Sequence, residues 1–372
     1  MPLPALAGTT VAITADRRRD EQAELFQRRG ARVVHGPTIR TIPLVHDERL
    51  HDAIEAVVSD PPDTVVLTTA LGLRSWLGAA ESLGRGEDLV DALRSSELLV
   101  RGAKAVGAAV TAGLEVSWSA PEATAVEVVD RLAEMSAAGD TRRIAVQLDG
   151  DPDSPLADRV RALGHTVLEV PVYQWTMPAD PTPARRVIAA AAEGSVDVVT
   201  FTSGPALRNF FALAEEAGAT EAVLERFAGG RVSAVCVGPV SAAQARSLGV
   251  AAPISPGHHR LGAMVQACVV HRAGDRRQLV LAGTEVEVQG RVVAVAGSEP
   301  VELTDRERAV LEVLLRRPGA VVAKSVLGRE VWGAAADDHT TEVTVARLRR
   351  RLGAAGGAVE TVVRRGYRLQ AG

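Results

Sequence analysis

The chain has 372 residues, of which 47% are hydrophobic and 24% charged, a composition that excludes a largely disordered protein and predicts two or three domains. The net charge of −4 is unevenly spread. From residue 276 onward there are 16 basic and 12 acidic side chains, whereas the first 275 residues carry 26 and 34. A basic C-terminal region behind an acidic body predicts a polyanion as the partner of that region alone.

The cysteines and the N-terminal residues indicate in which cellular compartment the protein is expected. Cys236 and Cys268 form no CxxC motif, which excludes a zinc ribbon and a disulfide scaffold and predicts two buried thiols in a reducing cytosol. Residues 1–4 show no basic stretch followed by an apolar run, and no window reaches the ~18–20 apolar residues that span a bilayer. We therefore expect a cytoplasmic protein with no membrane partner.

The first 270 residues contain an internal repeat. Gly30 and Pro37 recur as Gly164 and Pro171, an offset of 134 residues in both cases, and the runs before and after them correspond as well. Each half alternates short β-branched runs with longer helical stretches. This alternation predicts βαβ units and parallel sheets, hence an α/β fold built from two homologous halves.

Small polar residues fall where the predicted strands end and helices begin. In such folds ligands bind at the carboxyl ends of strands, where free N–H groups and hydroxyls suit carboxylates or phosphates. The residues at these positions are Thr14, Thr68, Thr69, Gly102, Gln147, Thr202, Ser203, Gly238 and Ser241. Any one Ser or Thr can equally serve only as a helix cap. The set as a whole favours binding.

The doubled pattern resembles uroporphyrinogen-III synthase over about residues 8–270. The most specific segments are Phe201–Pro205, Val237–Ala243 and Pro171–Tyr173. The resemblance implies two α/β lobes joined by a two-stranded linker: lobe one from 1–38 and 174–270, lobe two from 42–170, within a domain of 1–274. It implies cyclisation of hydroxymethylbilane, a linear tetrapyrrole with eight carboxylates, with loss of water. No metal or organic cofactor is expected.

The same resemblance makes Tyr173 the candidate catalytic residue, since the family's linker tyrosine can help the hydroxyl leave as a general acid. It adds Arg17 and Lys104 to the ligand-binding candidates; Lys104 stands at the Lys of the family's Gly-Pro-Lys motif, whereas Thr14–Arg17 replaces the Thr-Arg-Pro that usually ends the first strand. Other matching positions depart from the family pattern. Ala103 and Ala105 replace the usual Pro and Thr, and Gln147 stands where the second half often has an Arg-Gly. These departures leave binding intact and argue against turnover.

The last hundred residues follow a different pattern. Four short runs predict an antiparallel sheet, namely Leu279–Leu281, Glu285–Val288, Val292–Ala296 and Val301–Leu303. Thr304–Glu307 is a capping box that opens a helix, and a second helix is predicted over Lys324–Trp332. A third begins near Asp338 or His339 with a buried stripe of Thr341, Val345, Leu348 and Leu352. A hairpin with a basic tip, Arg364–Gly366, follows.

This region, 276–372, resembles the winged helix-turn-helix domain of the OmpR/PhoB response regulators. The motifs are L-T-x-x-E at Leu303–Glu307, V-W-G at Val331–Gly333, V-x-x-L-R-R at Val345–Arg350 and a T-V-x-x-x-G-Y-R run ending at Arg368. In that family the third helix enters the major groove and the wing touches the minor groove or backbone. The resemblance therefore implies base contacts from Thr344, Arg347 and Arg351. It implies further DNA contacts, mainly to phosphates, from Arg349, Arg350, Thr361, Arg364, Arg365 and Arg368.

Three hypotheses follow. In the first, the protein is a transcription regulator whose synthase-like domain senses a tetrapyrrole-type or other anionic ligand. Such fusions resemble actinobacterial regulators of nitrate and nitrite assimilation. In the second it is an active uroporphyrinogen-III synthase with a DNA-binding domain, and in the third a non-catalytic scaffold. The expected partners are double-stranded DNA and the anionic ligand, with a homodimer on DNA and a second transcription regulator as further partners.

Overall fold

The computed structural model describes residues 3–136, 141–151, 154–333 and 337–370. These residues form two compact units, one comprising 1–38 with 178–372 and the other 39–177. We call the second unit lobe two. The first unit contains lobe one, formed by 3–38 and 178–273, and a C-terminal domain that begins at residue 277.

Lobe one opens with a strand, a helix and a strand: β1 (Thr10–Ile13), α1 (Arg19–Gln27) and β2 (Arg32–His35). Strand β1 is buried along its whole length, in keeping with the apolar run that predicted it. Strand β2 pairs with it in parallel, Thr10 lying opposite Arg32.

Lobe two follows in the chain. Its elements are β3 (Arg40–Pro43), α2 (Glu48–Ser59), β4 (Thr64–Leu67), α3 (Ala70–Ser82), α4 (Gly86–Arg94), β5 (Glu97–Val100), α5 (Ala103–Thr111), β6 (Trp118–Ser119), α6 (Ala125–Ser136), β7 (Arg143–Gln147), α7 (Leu156–Ala162), β8 (Thr166–Val170) and β9 (Tyr173–Thr176). Five of the strands form a parallel sheet in the order β6-β5-β4-β7-β8. Apolar side chains cover both faces of this sheet, with the fully buried Trp76 on one of them.

A separate pair of strands accompanies the two passages of the chain between the units. Strands β3 and β9 are antiparallel, with Arg40 opposite Thr176 and Pro43 opposite Tyr173. The two-stranded linker that the family resemblance implied is therefore present.

Lobe one is completed by the returning chain. It adds α8 (Thr182–Glu193), β10 (Val198–Phe201), α9 (Gly204–Glu216), α10 (Thr220–Ala228), β11 (Ser233–Cys236), α11 (Pro239–Ser247) and α12 (Leu261–Ala273). The four strands of the lobe are parallel, in the order β11-β10-β1-β2.

The strand orders confirm the internal repeat. In lobe one, β11-β10-β1-β2 holds the places that β5-β4-β7-β8 hold in lobe two. Each lobe thus takes two strands from the first half of the repeat and two from the second. This exchange explains why the chain must pass twice between the lobes.

The C-terminal domain matches the predicted elements closely. It contains β12 (Arg277–Leu281), β13 (Thr284–Gln289), β14 (Val292–Val295), β15 (Val301–Glu302), α13 (Asp305–Leu315), α14 (Lys324–Trp332), α15 (Asp338–Arg351), a 3₁₀ turn (Gly353–Ala358), β16 (Val359–Val362) and β17 (Gly366–Leu369). Strands β12 to β15 form the expected antiparallel sheet. The capping box at Thr304 and Glu307 is formed, with both reciprocal hydrogen bonds.

The third helix and the hairpin also follow the sequence pattern. The predicted stripe on α15 is buried in full, namely Thr341, Val345, Leu348 and Leu352. The hairpin of β16 and β17 packs on the segment before α14, where the Val322 and Tyr367 backbones exchange two hydrogen bonds of 2.7 and 2.9 Å. Gly366 (φ +134°) lies so close to the Val322 carbonyl that a Cβ would overlap it.

Two further expectations concern thiols and membranes. Cys236 and Cys268 are free and buried, and burial raises the pKa of each thiol to about 12. The prediction of two buried thiols is confirmed. No helix in the described ranges has the length and apolar character needed to cross a bilayer.

Lobe one and the C-terminal domain meet around one buried carboxylate. Asp197, which directly precedes β10, is 1% exposed. Its Oδ1 accepts a 2.6 Å hydrogen bond from Nη1 of Arg308, a residue of α13 in the C-terminal domain. Two lobe-one guanidinium groups lie 3.7 and 3.8 Å from the same oxygen, those of Arg272 and Arg231. Oδ2 accepts a 2.8 Å hydrogen bond from the Thr10 amide.

The charges around Asp197 keep it ionised. Burial raises the pKa of its carboxyl group, but Arg308, Arg272 and the Thr10 amide favour the charged form more strongly, so that the pKa lies below its ordinary value. A second carboxylate, Glu312, pairs with Arg308 at 2.7 Å. A third, Asp275, pairs with Arg272 at 2.9 Å, so the three guanidinium groups meet three carboxylates, as buried charges require.

Backbone contacts extend this interface. The Arg291 amide donates a 3.0 Å hydrogen bond to the Gly8 carbonyl, and Gln289 Nε2 donates to the Ala5 carbonyl. Gly8 (φ +67°) packs so closely on Arg291 that a side chain there would collide with its backbone. The sequence pattern predicted a separate C-terminal domain and gave no indication that this domain contacts lobe one.

We expect the substitution Asp197→Asn to destabilise the protein by about 3–5 kcal/mol, since it removes the fully buried anion that Arg308 and Arg272 share and leaves them only partly exposed carboxylates. Glu312→Gln is the matched control. It removes one negative charge from the same cluster, but Glu312 is 42% exposed and Arg308 keeps Asp197, so its cost should stay below about 1 kcal/mol. Denaturant unfolding of the full chain measures both.

The pH dependence has a defined sign. The pKa of Asp197 is lower in the folded than in the unfolded state. Its contribution to the free energy of unfolding is therefore present above the unfolded-state pKa of about 3.9 and is lost as the pH falls through the folded-state pKa. The Asn variant should lack this part of the acid sensitivity. If Asp197→Asn and Glu312→Gln lower the free energy of unfolding equally at pH 7, the anchoring role of Asp197 is contradicted.

Candidate ligand and DNA-binding sites

In lobe two the predicted polar residues gather at the carboxyl edge of the sheet. Thr68 and Thr69 follow β4, and Gln147 ends the neighbouring strand β7. Gln147 is fully buried, and its Oε1 accepts hydrogen bonds from the Thr68 and Thr69 amides at 3.0 and 2.9 Å. The Thr68 hydroxyl donates to the Gln147 carbonyl at 3.0 Å.

This arrangement changes what the start of α3 can bind. Backbone N–H groups at a helix N-terminus attract anions, but here the amide oxygen of Gln147 already accepts from the N-cap residue Thr69 and from Thr68 before it. Gly72 in the first turn permits the close approach, because a Cβ there would lie 2.6 Å from the Gln147 side-chain carbon. The glutamine that replaces the family's Arg-Gly therefore occupies the anion-binding position of this helix.

Tyr173 lies beside the same residues. It is 3% exposed, and its hydroxyl is 3.2 Å from Oγ1 of Thr69, which also caps α3 by accepting from the Gly72 amide. Its ring packs on Gly150 (φ +80°), where a Cβ would overlap the ring, and lies 5.8 Å from the Trp175 ring. Sequence reasoning missed Gly150, although a glycine after a strand is a usual sign of close packing.

Two other lobe-two candidates lie at the start of α5. Gly102 is the N-cap residue of this helix, and Lys104 is exposed in its first turn. The neighbouring Arg101 forms a 2.6 Å ion pair with Asp149, which follows β7. This half-buried charge pair next to the candidate residues was not predicted from the sequence.

In lobe one two of the candidates, Thr14 and Ser203, are hydrogen-bonded to other residues of the lobe. The buried Thr14 hydroxyl donates to the Thr200 carbonyl at 2.7 Å, and Gln22 Nε2 donates to the Thr200 hydroxyl at 2.7 Å. Ser203 follows β10 together with the half-buried Thr202 and accepts from the Ala206 amide at 3.3 Å, so that it caps α9. Helix capping, the alternative that the sequence left open, is thus one role of Ser203.

The remaining lobe-one candidates differ in exposure. Gly238 is the buried N-cap residue of α11, with the His259 ring so close that a Cβ would collide with it. Ser241 is buried in the first turn of that helix, whereas Arg17 is exposed after β1. The candidates therefore form two sets, one at the carboxyl edge of each sheet, and a ligand-binding role stays a prediction for both.

The DNA-binding candidates lie on α15 and on the β16–β17 hairpin. Arg347, Arg350 and Arg351 are exposed on the helix, and Arg364 and Arg365 are exposed at the hairpin tip. Thr344 differs from these arginines. It is 8% exposed and its hydroxyl donates to the Thr340 carbonyl at 2.9 Å. Thr344 thus packs within the domain, and a base contact from its side chain stays a prediction.

Arg349 joins the helix to the hairpin at Thr361, and Arg368 forms a contact within the hairpin. Arg349 donates to the Val359 carbonyl at 2.6 Å and to the Thr361 hydroxyl at 2.8 Å, and lies over the Tyr367 ring. Arg368 pairs with Glu360 across the hairpin at 2.5 Å. These contacts fix the helix and hairpin as one basic surface, and phosphate contacts by Arg349 and Arg368 stay a prediction.

The described residues contain no group of three or more side chains that could hold a metal ion. Comparison with protein families then decides the assignment of the first part. Residues 20–266 match the model of uroporphyrinogen-III synthase HemD. The chain belongs to the uroporphyrinogen-III synthase family. Residues 298–369 match the model of the C-terminal domain of transcriptional regulatory proteins, so the synthase-like part is fused to an OmpR/PhoB-type DNA-binding domain.

Individual relatives agree with this division. A mutant uroporphyrinogen III synthase from the extreme thermophile Thermus thermophilus aligns with a TM-score of 0.59 and 28% identity, covering 72% of this chain and 99% of its own. The protein YjjA of Bacillus subtilis is 27% identical over 260 residues, 70% of this chain and 94% of the relative. The transcriptional regulatory protein CutR of Streptomyces coelicolor is 41% identical over 90 residues, 24% of this chain and 41% of the relative.

The exposed arginines give a test of the DNA-binding surface. Arg347→Ala should weaken binding to the preferred DNA sequence by about 1–3 kcal/mol and relax the sequence preference, because a base contact is lost. Arg365→Ala should weaken binding to all sequences alike and flatten the salt dependence, because a phosphate contact is lost. Gel shifts with selected and random DNA at two salt concentrations separate the two effects.

Arg28→Ala is the control for charge loss alone. Arg28 is an exposed residue that follows α1 in lobe one and pairs with Glu24, so its removal should leave DNA binding unchanged. If Arg347→Ala and Arg365→Ala behave like this control, the assignment of α15 and the hairpin to the DNA grooves is wrong.

Proposed function

We propose that the synthase-like domain of this DNA-binding regulator binds a tetrapyrrole-type or other anionic ligand, and that ligand occupancy sets DNA binding. The observation that carries the proposal is the position of β10. Asp197 precedes this strand and holds Arg308 of the DNA-binding domain, whereas Thr202 and Ser203 follow it at the candidate ligand edge. The four residues of β10 span only about 13 Å, so Asp197 and the candidate ligand edge are separated by about this distance along the strand.

A neighbouring strand connects the same two ends. Thr10 begins β1 and donates its amide to Asp197, and Thr14 follows the strand and contacts Thr200. A ligand that shifts either strand end therefore acts on the Asp197 cluster through rigid, hydrogen-bonded backbone. Coupling of this kind requires an element with two arrangements that both sites bias, and the β1–β10 pair is our candidate for it.

Sensing rather than turnover is supported by lobe two. The amides of Thr68 and of Thr69, the N-cap residue of α3, are already bonded to Gln147, and the Tyr173 hydroxyl is buried against Thr69. An active synthase must stabilise eight carboxylates and a departing hydroxyl, and this edge offers a neutral amide where the family often has a cation. Synthase activity is the second candidate function, favoured by the linker position of Tyr173.

We place the regulator in nitrogen or tetrapyrrole metabolism. Uroporphyrinogen III is the precursor of sirohaem, the cofactor of nitrite reductase, so a sensor of this class of molecule suits control of nitrate and nitrite assimilation. The proposed partners are double-stranded DNA, a second copy of the chain on that DNA, and a second transcription regulator.

Tyr173→Phe distinguishes a sensor from an enzyme. For a sensor, the wild type should show little turnover of hydroxymethylbilane, and the variant should bind uroporphyrinogen III with an affinity changed by about 0.5–1.5 kcal/mol, the net value of one hydrogen bond. The ligand dependence of DNA binding should shift accordingly. For an enzyme, turnover should be robust in the wild type and fall roughly 10–10³-fold in the variant.

Tyr367→Phe is the matched control, since Tyr367 is the other of the two tyrosines and lies in the DNA-binding domain. It should leave ligand affinity unchanged. Efficient formation of the type III isomer by the wild type would overturn the sensor proposal. DNA binding that does not respond to uroporphyrinogen III or hydroxymethylbilane would overturn the tetrapyrrole ligand.

A further inference from the structure

A cavity of about 380 Å³ lies where lobe one meets the DNA-binding domain. Lobe one contributes β2, the edge strand of its sheet, together with α8 and the segment that leads into β10. The DNA-binding domain contributes Arg291 and Asp305. This volume falls within the range of small-molecule sites. The cavity is distinct from the candidate ligand edge. It includes Thr10, which begins β1, and Val196, which precedes β10, whereas the ligand edge is formed by the carboxyl ends of these strands.

The charge of the lining is mainly positive. Three arginines, Arg32, Arg186 and Arg291, and the imidazole of His35 face one carboxylate, that of Asp305. Arg291 and Asp305 pair with each other at 2.5 Å, which leaves the lobe-one cations in excess. Among the described residues neither Arg32 nor Arg186 forms an ion pair. The charge of Arg186 nevertheless contributes to the lowered pKa of Asp180, after the hydrogen bonds from Thr182.

Arg291 joins the two domains across this cavity. Its Nη2 donates a 2.8 Å hydrogen bond to the Ser195 carbonyl of lobe one. Its Nε is buried and forms no hydrogen bond with the residues that the structure describes. A buried donor without an acceptor costs free energy, which an anion in the cavity can recover.

Much of the remaining lining is apolar, with Val34, Val187 and Ala190 among its side chains. A lining of cations and aliphatic side chains suits a small organic molecule that carries several negative charges, since a few charged groups fix orientation while apolar surface supplies contact.

We propose that this cavity binds a small organic anion with two or more phosphate or carboxylate groups. Arg32 and Arg186 bind its charged groups from lobe one, and Arg291 contacts it from the DNA-binding domain. Such an anion touches both domains directly, so it stabilises their contact independently of any ligand at the carboxyl ends of the strands.

Titration calorimetry of the full chain tests the site with two probes, pyrophosphate and citrate, which separate phosphate from carboxylate recognition. We expect saturable binding of at least one probe at one site. Arg32→Ala and Arg186→Ala should each weaken it about tenfold, the effect of losing one charge-assisted hydrogen bond. Both variants remove exposed side chains, and their thermal melting should match that of the wild type.

Arg185→Ala is the matched control. Arg185 is adjacent in α8, carries the same charge and pairs with Glu216 outside the cavity. Its removal should change probe affinity by less than about twofold, because salt screens distant charges. The proposal is overturned if neither probe binds the wild type, or if Arg185→Ala weakens binding as much as Arg186→Ala does.

Discussion

The contact between the synthase-like domain and the DNA-binding domain depends on the buried charge of Asp197. One carboxylate in lobe one binds Arg308 of the other domain and lies close to Arg272 and Arg231 of its own. A buried charge is tolerated only when it is paired, and removal of one partner is far more costly than loss of an exposed pair. The cluster therefore holds α13 against lobe one. Because Asp197 directly precedes β10, it links this contact to a strand that ends at the candidate ligand site.

At the carboxyl edges of the two sheets, many polar groups are hydrogen-bonded to other residues of the chain. In lobe two, Gln147 accepts from the amides of Thr68 and Thr69. In lobe one, Gln22 and Thr14 bond to Thr200 in the interior of the sheet edge. Buried polar groups need partners, and here the chain supplies many of them itself. A ligand at these edges must therefore rely on the exposed and half-buried groups, or displace the internal ones.

The arginines of the DNA-binding domain divide into two kinds by their contacts. Arg349 holds α15 to the hairpin through bonds to Val359 and Thr361, and Arg368 pairs with Glu360 across the two strands of the hairpin. Arg347, Arg350, Arg351, Arg364 and Arg365 remain exposed. The first set gives the surface its shape and the second its charge. Binding to a polyanion needs both, because guanidinium groups held in fixed positions lose less freedom when they meet phosphates.

Local patterns in the sequence determined the elements and the repeat. The apolar runs, the Thr304 capping box and the stripe from Thr341 to Leu352 predicted their structures because strand period, helix period and caps are properties of neighbouring residues. The same pattern placed Thr69 at the end of a strand, and the family resemblance placed Tyr173 in the linker. Contacts between distant residues were decided by the tertiary structure alone. Burial of Thr344, the filling of the α3 N-terminus by Gln147, and the approach of Arg308 to Asp197 over 111 residues of chain have no periodic signal. A single charged residue looks the same in sequence whether it faces water or a guanidinium group, and only packing distinguishes the two.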